Sequence, residues 1–402
     1  MQTMMGDQMA TRRIVLVCEA RGERYGNVLD EATQAYAGGF AAHGFATSIL
    51  DCQAKDFLAE VKRLGADPEV AAFFSAGGKG LHLQTPEGVV TRPFRGATNK
   101  PVICQHGDHP FQQWLGPLVR ADFPSKFLFF NDPASVDFVA RLGLARGRCF
   151  YSPPCIFGGD QPAVDQPRDI AVLFVGLLLD PEQARGFLLG EHPDLEPLFD
   201  LVNRRGLDES HRPLFDIARD VLRERGDELD LTSRKGQVLL HRCDWWIRQQ
   251  RRRDYLFGVR RHPVTVVAQK AVPWKHMHPD TRFLPPMPLQ EVLRLCDRTQ
   301  AMLVPQPSYP HGLTERILYA MDRRTAVVTN PSPAIRRYFV PSEELLLAAG
   351  GRDVDRQIDK VRDEAARRPM GNRARAAVRR QFMPAQVVAG YLERLRTAGI
   401  DI

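Results

Sequence analysis

Short runs of β-branched and aromatic residues return at intervals along this chain, and the stretches between them have helical spacing. Runs at 13–18, 46–50, 70–74, 101–104 and 127–130 are mostly apolar. A short run of that kind, bounded by turn residues, reads as a strand buried on both faces. Segments 28–43, 57–64 and 134–142 read as helices, and Gly44 and Gly143 stop the first and last of them. Strands alternating with helices build βαβ units, and hence an α/β domain around a parallel sheet. In such sheets ligands gather at the carboxyl ends of the strands.

The pattern breaks once and then resumes. Residues 158–169 are rich in Gly, Pro and Asp, which marks a linker. A new strand follows at 170–175 and ends at Gly176. Residues 181–257 are charged, arginine-rich and helical in spacing. Strands then return at 264–268, 301–304 and 325–329, with a helix near 313–321. The expected organisation is a first domain over 1–160 and a second over 161–375 that contains the helical segment 181–257. A terminal helical stretch covers 376–402.

Composition narrows the function classes. No stretch approaches 18 uninterrupted apolar residues, so no spanning helix is expected. The first residues lack the basic and apolar regions of a signal peptide. Seven scattered cysteines without a Cys-x-x-Cys pair argue against a disulfide scaffold and a zinc ribbon. A reducing cytoplasm is the expected location. Lys+Arg is 55 against Asp+Glu 48, a net charge of +7, which suits an anionic partner. Nine of the 55 are lysines, so arginine is common throughout and any single arginine carries little information.

Two segments concentrate chemistry. In 305–321 a strand runs through a Pro-rich loop into a helix. His311 and Gly312 are expected at the helix entry, where free N–H groups favour a phosphate. Gly312 would let the anion approach closely. Arg316 would add a bidentate contact, and Glu315 would accept from sugar or ribose hydroxyls. The second segment, 104–110, follows a buried strand. His106 or Asp108 there would deprotonate an acceptor hydroxyl. Adjacent residues rarely point at one centre, so His106, Asp108 and His109 are a poor metal set. The alternative is that Asp108 caps a helix opened by Pro110.

Other features are weaker. Lys270 follows the strand 264–268 and would meet a diphosphate, and Trp274 beyond it would stack on a base. The loop 21–27 lacks Gly-x-Gly-x-x-Gly spacing, and 77–80 lacks the Gly-Lys-Ser/Thr of a phosphate loop. Residues 245–253 are basic and aromatic, which suits a peripheral contact with an anionic membrane. Otherwise a tryptophan there belongs to the core, with the arginines solvated outside. Nucleic acid is not expected as a partner.

The run from His311 through Met321, with 325–330 and 335–339 after it, resembles the donor-binding segment of GT-B-fold glycosyltransferases. It is closest to the CgeB-like (spore maturation protein B) group, which is similar to group 1 glycosyltransferases in its C-terminal half. Residues 169–181 resemble the opening strand of that family's second domain, and 107–110 its Asp-x-Pro turn. The resemblance implies two Rossmann-like domains with parallel sheets facing a cleft, and a final helix that crosses back to the first domain. It implies a hexosyltransferase-type enzyme moving a sugar from a nucleotide-sugar to an acceptor hydroxyl of a glycan, protein or small molecule. No cofactor and no metal are implied. The donor side would comprise Gly176, Lys270, His311, Gly312, Glu315, Arg316 and Tyr319. His106 and Asp108 would be catalytic, with Gly22, Gly26 and His109 lining the acceptor side.

Relatives often carry a Glu near the position of Tyr319, a small-Gly pair where Arg323 and Arg324 stand, and a Gly at Gln269. These departures keep open a catalytically silent binding protein on the same fold. A nucleotide-sugar epimerase is the other alternative.

Overall fold

The computed structural model describes residues 12–19, 28–81, 83–84, 90–91, 93–112, 119–120, 122–158, 166–268, 277–306 and 309–402. They form two six-stranded, wholly parallel sheets. The first holds β1 (Arg13–Cys18), β2 (Ala46–Asp51) and β3 (Val70–Ala76). A small antiparallel pair, β4 (Leu83–Gln84) and β5 (Val90–Thr91), stands apart from it. The sheet continues with β6 (Val102–His106), β7 (Lys126–Phe130) and β8 (Cys149–Tyr151). Its order is β2-β1-β3-β6-β7-β8. Helices α1 (Val28–Ala41), α2 (Phe57–Ala66) and α3 (Pro133–Arg141) accompany it. One apolar cluster lies on each face, as expected for strands without a wet side.

The second sheet comprises β9 (Ile170–Val175), β10 (Val264–Val267), β11 (Arg282–Leu284), β12 (Thr299–Leu303), β13 (Ala326–Thr329) and β14 (Leu346–Leu347). Its order is β11-β10-β9-β12-β13-β14. The direction of winding reverses between β9 and β12, and a crevice for ligands opens at such a reversal.

Four helices separate β9 from β10: α4 (Pro181–Glu191), α5 (Glu196–Asp208), α6 (Leu214–Arg225) and α7 (Arg234–Gly258). Asp180 caps α4 through the Glu182 amide, with Pro181 at the first position, and Ser233 caps α7 through the Gly236 amide. Their core includes Phe111 and Phe138 of the first domain. The far end of α7 sends Tyr255 and Leu256 into the second domain's core. One 25-residue helix therefore spans both bodies.

The second sheet is completed by α8 (Leu289–Asp297), α9 (Glu315–Asp322), α10 (Pro333–Tyr338) and α11 (Gly351–Asp359). The terminal stretch is two helices, α12 (Glu364–Gln381) and α13 (Pro384–Thr397). Pro384 opens the second, because proline suits a first turn and not a helix interior. Val387, Val388, Tyr391 and Leu395 of α13 join Tyr36, Phe40 and Phe74 in the first domain's core. Each such side chain stabilises by about 1.5–3 kcal/mol when fully buried, enough together to hold a short helix. Among the described residues no helix is long and apolar enough to cross a membrane.

Candidate functional site

The carboxyl edge of the second sheet is cationic. β9 ends at Val175, and Gly176 follows with φ +157°. A Cβ on Gly176 would lie 2.8 Å from Nη1 of Arg316, so only glycine fits there without a shift. Arg316, in the first turn of α9, donates from Nη1 to the Val175 carbonyl at 3.1 Å. Arg252 of α7 donates from Nη1 to the Leu177 carbonyl at 2.7 Å. Arg248, one turn earlier, holds Asp244 at 2.8 Å through Nε. Arg252 is buried, and that burial, followed by the charges of Arg316 and Arg248, lowers its pKa to about 9. Asp244 is the carboxylate that counters them.

Surplus cation in a low-dielectric site is costly, and an anion bound there would offset the cost. Beside this cluster, the Gln306 side chain is buried with both amide atoms unpartnered, and the Thr314 hydroxyl is unpartnered too. Asn330 Oδ1 of the neighbouring strand end accepts from the Gln306 backbone N–H at 2.6 Å. Buried polar atoms without partners are uncommon in folded proteins, and a ligand would satisfy these.

The facing edge, on the first sheet, carries carboxylates and imidazoles. Asp108, just past β6, accepts at Oδ1 from the Tyr309 hydroxyl at 2.7 Å, from Gln112 Nε2 at 3.3 Å and from Arg248 Nη1 at 3.4 Å. No helix starts at Pro110 among the described residues, so capping is not what occupies Asp108. His109 stacks on Phe111 at 4.6 Å and meets Ser135 Oγ at 3.2 Å through Nδ1. Asp132 caps α3 through the Ala134 amide. Burial raises its pKa, countered by His109, the Ala134 amide and His311.

Several expectations change. His106 is 1% exposed, stacks on Phe130 at 5.3 Å and leaves both ring nitrogens unpartnered. Burial, and then the Lys126 charge, lower its pKa to about 3. It is a neutral core imidazole, closed off from an acceptor hydroxyl. Gly312 has a different use from the one its spacing suggests. α9 starts at Glu315, so Gly312 precedes the helix. A Cβ there would lie 2.6 Å from the Asn131 carbonyl of the first domain. The glycine allows two domains to touch. Tyr319 is 4% exposed and packs in the core beneath the second sheet. The basic run 245–253 is not a solvated face, because Arg251 and Arg252 are buried and Arg248 is 15% exposed.

His311 stands beside Asp132, and Glu315 is partly exposed at the first position of α9. Gly22, Gly26, Lys270 and Trp274 lie outside the described residues. Sequence reasoning missed Arg248, Arg252 and Tyr309. The two arginines stand four apart on one helix, a spacing that puts both on a single face. Among the described residues, no group of three or more His, Cys, Asp or Glu is placed to hold a metal ion.

Residues 241–393 match a family model described as glycosyl transferase-like. None of the curated proteins matches the sequence. Solved structures align over nearly all of it. T4 phage BGT in complex with its UDP-glucose substrate has 9% identity and a TM-score of 0.54, covering 98% of this chain and 100% of that one. Sucrose-phosphate synthase from Thermosynechococcus elongatus has 10% identity and a TM-score of 0.53, covering 96% and 100%. Anabaena HepE in complex with UDP and glucose has 11% identity and a TM-score of 0.50, covering 96% and 100%. The chain therefore has the GT-B architecture: two Rossmann-like domains, each with a six-stranded parallel sheet.

Proposed function

We propose that the protein is a glycosyltransferase that moves a sugar from a nucleotide-sugar donor to an acceptor hydroxyl. The observation that carries this is the pair Arg252 and Arg316 at the end of β9, with Arg248 of the same cluster reaching Asp108 of the first domain. Transfer of a glycosyl group releases a nucleoside diphosphate, whose negative charge grows as the bond to the sugar breaks. Guanidinium groups fixed where that charge develops lower the barrier. Asp108 takes the proton of the acceptor hydroxyl. Gln306 and Thr314 offer unpaired polar atoms to the donor, and Lys270 adds a cation from its loop. The match of 241–393 to a glycosyl transferase-like family supports the reading, since that span contains Arg248, Arg252, Arg316 and Tyr309. A hexosyl group, a place in the CgeB-like subgroup and a cytoplasmic location remain part of this proposal.

BGT and HepE were solved with UDP-glucose, or with UDP and glucose, so a uridine nucleotide is the first donor to test. The test is calorimetric and thermal-shift titration with UDP, GDP, dTDP, CMP and their sugars. Ligand at one hundred times its dissociation constant adds about 2.7 kcal/mol to the folded state. One nucleotide should raise the melting temperature of the native chain and not that of Arg316→Gln. Equal shifts in both proteins would place the donor elsewhere. A silent binding protein is the second reading, favoured by the burial of Tyr319 where relatives often carry a Glu. It predicts nucleotide binding without turnover, or neither.

A further inference from the structure

Asp108 is held asymmetrically. The three hydrogen bonds it accepts, from Tyr309, Gln112 and Arg248, all end on Oδ1. Oδ2 accepts none from the described residues, and the side chain is 35% exposed. The shortest of the three bonds, 2.7 Å, comes from Tyr309. That tyrosine is itself fixed. It is 5% exposed, with the His109 ring edge-on at 4.7 Å and the Arg248 guanidinium over its face at 4.9 Å. Arg248 Nη2 also donates to its hydroxyl oxygen at 2.8 Å. The hydroxyl is therefore oriented, with its one proton committed to Asp108.

We infer that Tyr309 is a positioning residue that pins Oδ1 of Asp108 and leaves Oδ2 turned to the acceptor hydroxyl. The inference rests on the transferase reading. Tyr309 belongs to the second domain, in the loop that leads to α9, while Asp108 belongs to the first. Three residues on, the same loop brings Gly312 against the Asn131 carbonyl. The contact that seats this loop on the first domain is thus also what aims the carboxylate. A base with one oxygen anchored and the other open has a defined direction for proton transfer, where a freely rotating carboxylate has none.

The step balances as a single displacement. The acceptor O–H bond breaks and its proton goes to Asp108 Oδ2. The acceptor oxygen forms the new bond to the anomeric carbon. The bond from that carbon to the diphosphate oxygen breaks, and its electron pair leaves with the nucleoside diphosphate beside Arg252 and Arg316. One displacement inverts the anomeric configuration.

Tyr309→Phe keeps the ring and removes only the hydroxyl. Its kcat should fall roughly 10- to 100-fold, the worth of one hydrogen bond to a charged group. KM for donor and acceptor should stay within about twofold, since binding in the ground state is untouched. On an Asp108→Asn background the same change should cost nothing further, because the oriented base is already gone. An unaltered kcat in Tyr309→Phe, an undiminished loss on the Asp108→Asn background, or a product of retained configuration overturns the inference and leaves the transferase intact. Native protein that binds no nucleotide and transfers no sugar overturns the transferase reading, and the inference with it.

Discussion

The two sheets have the same size and are both wholly parallel, yet their carboxyl edges carry opposite chemistry. The first presents Asp108, with Asp132 and the neutral imidazole of His106 buried. The second presents Arg252 and Arg316, with Arg248 reaching between them and Asp108. A parallel sheet fixes where a ligand sits and leaves the sign of the charge there to the loops. A transfer reaction needs both signs at once: a carboxylate where a proton leaves an acceptor, and guanidinium groups where a diphosphate departs. Dividing them between two bodies makes their meeting depend on contact between the domains, as where Arg248 reaches Asp108.

The sharpest way to break this comparison is to remove the base from one edge. Asp108→Asn should lower transfer by about 10²- to 10⁴-fold, the usual worth of a general base, while nucleotide affinity measured by calorimetry stays unchanged. Removing a cation from the other edge should do the reverse. Arg252→Gln or Arg316→Gln should weaken nucleotide binding about 10- to 100-fold, as expected for one charged hydrogen bond. The melting temperature without ligand should not fall with the affinity, because each substitution relieves repulsion between the pair. A joint fall in both would make the arginines structural.

The contact between the edges is tested next. Gly312→Ala puts a methyl group against the Asn131 carbonyl, 2.6 Å away. Solution scattering should show a wider molecule, and kcat/KM should drop several-fold with secondary structure intact. An unchanged scattering profile would show that the loop, not the domain, moves aside.

The smallest effect concerns pH. The unfolded chain protonates His106 near 6.5, the folded chain only near 3. Between those values the unfolded state binds more protons, so stability is complete above pH 6.5 and is lost as pH falls toward 3. The loss is at most about 1.4 kcal/mol over the first pH unit below 6.5. Denaturant titration from pH 7 to pH 5 should show this slope in the native chain and a shallower one in His106→Leu.

How much of this was legible depends on how local the cause is. The central strands could be read because burial on both faces leaves them almost wholly apolar, as in Val70–Ala76, where Ser75 is the one polar residue. Three edge strands could not. β8, β11 and β14 are two or three residues long, and each exists because a neighbouring strand offers hydrogen bonds. Gly176 and Arg316 were expected from strand-end positions and the resemblance, and the structure puts the Arg316 guanidinium on the Val175 carbonyl, one residue before Gly176, at 3.1 Å. His106, expected to meet an acceptor hydroxyl, is buried instead. Strand residues alternate between faces, and His106 shares the face of Cys104, which points into the core.

Arg248 and Arg252 were hidden for a related reason. Their run is so polar that it reads as a wet surface, while tertiary packing lays it along the crevice. Tyr309 carried no signal at all, since its partners lie 201 and 61 residues away. The sequence alone determined the elements and their order, because periodicity, caps and glycine stops act within a few residues. Tertiary structure alone decided which charges meet, because burial and Coulomb forces depend on distances in space that the spacing of residues does not contain.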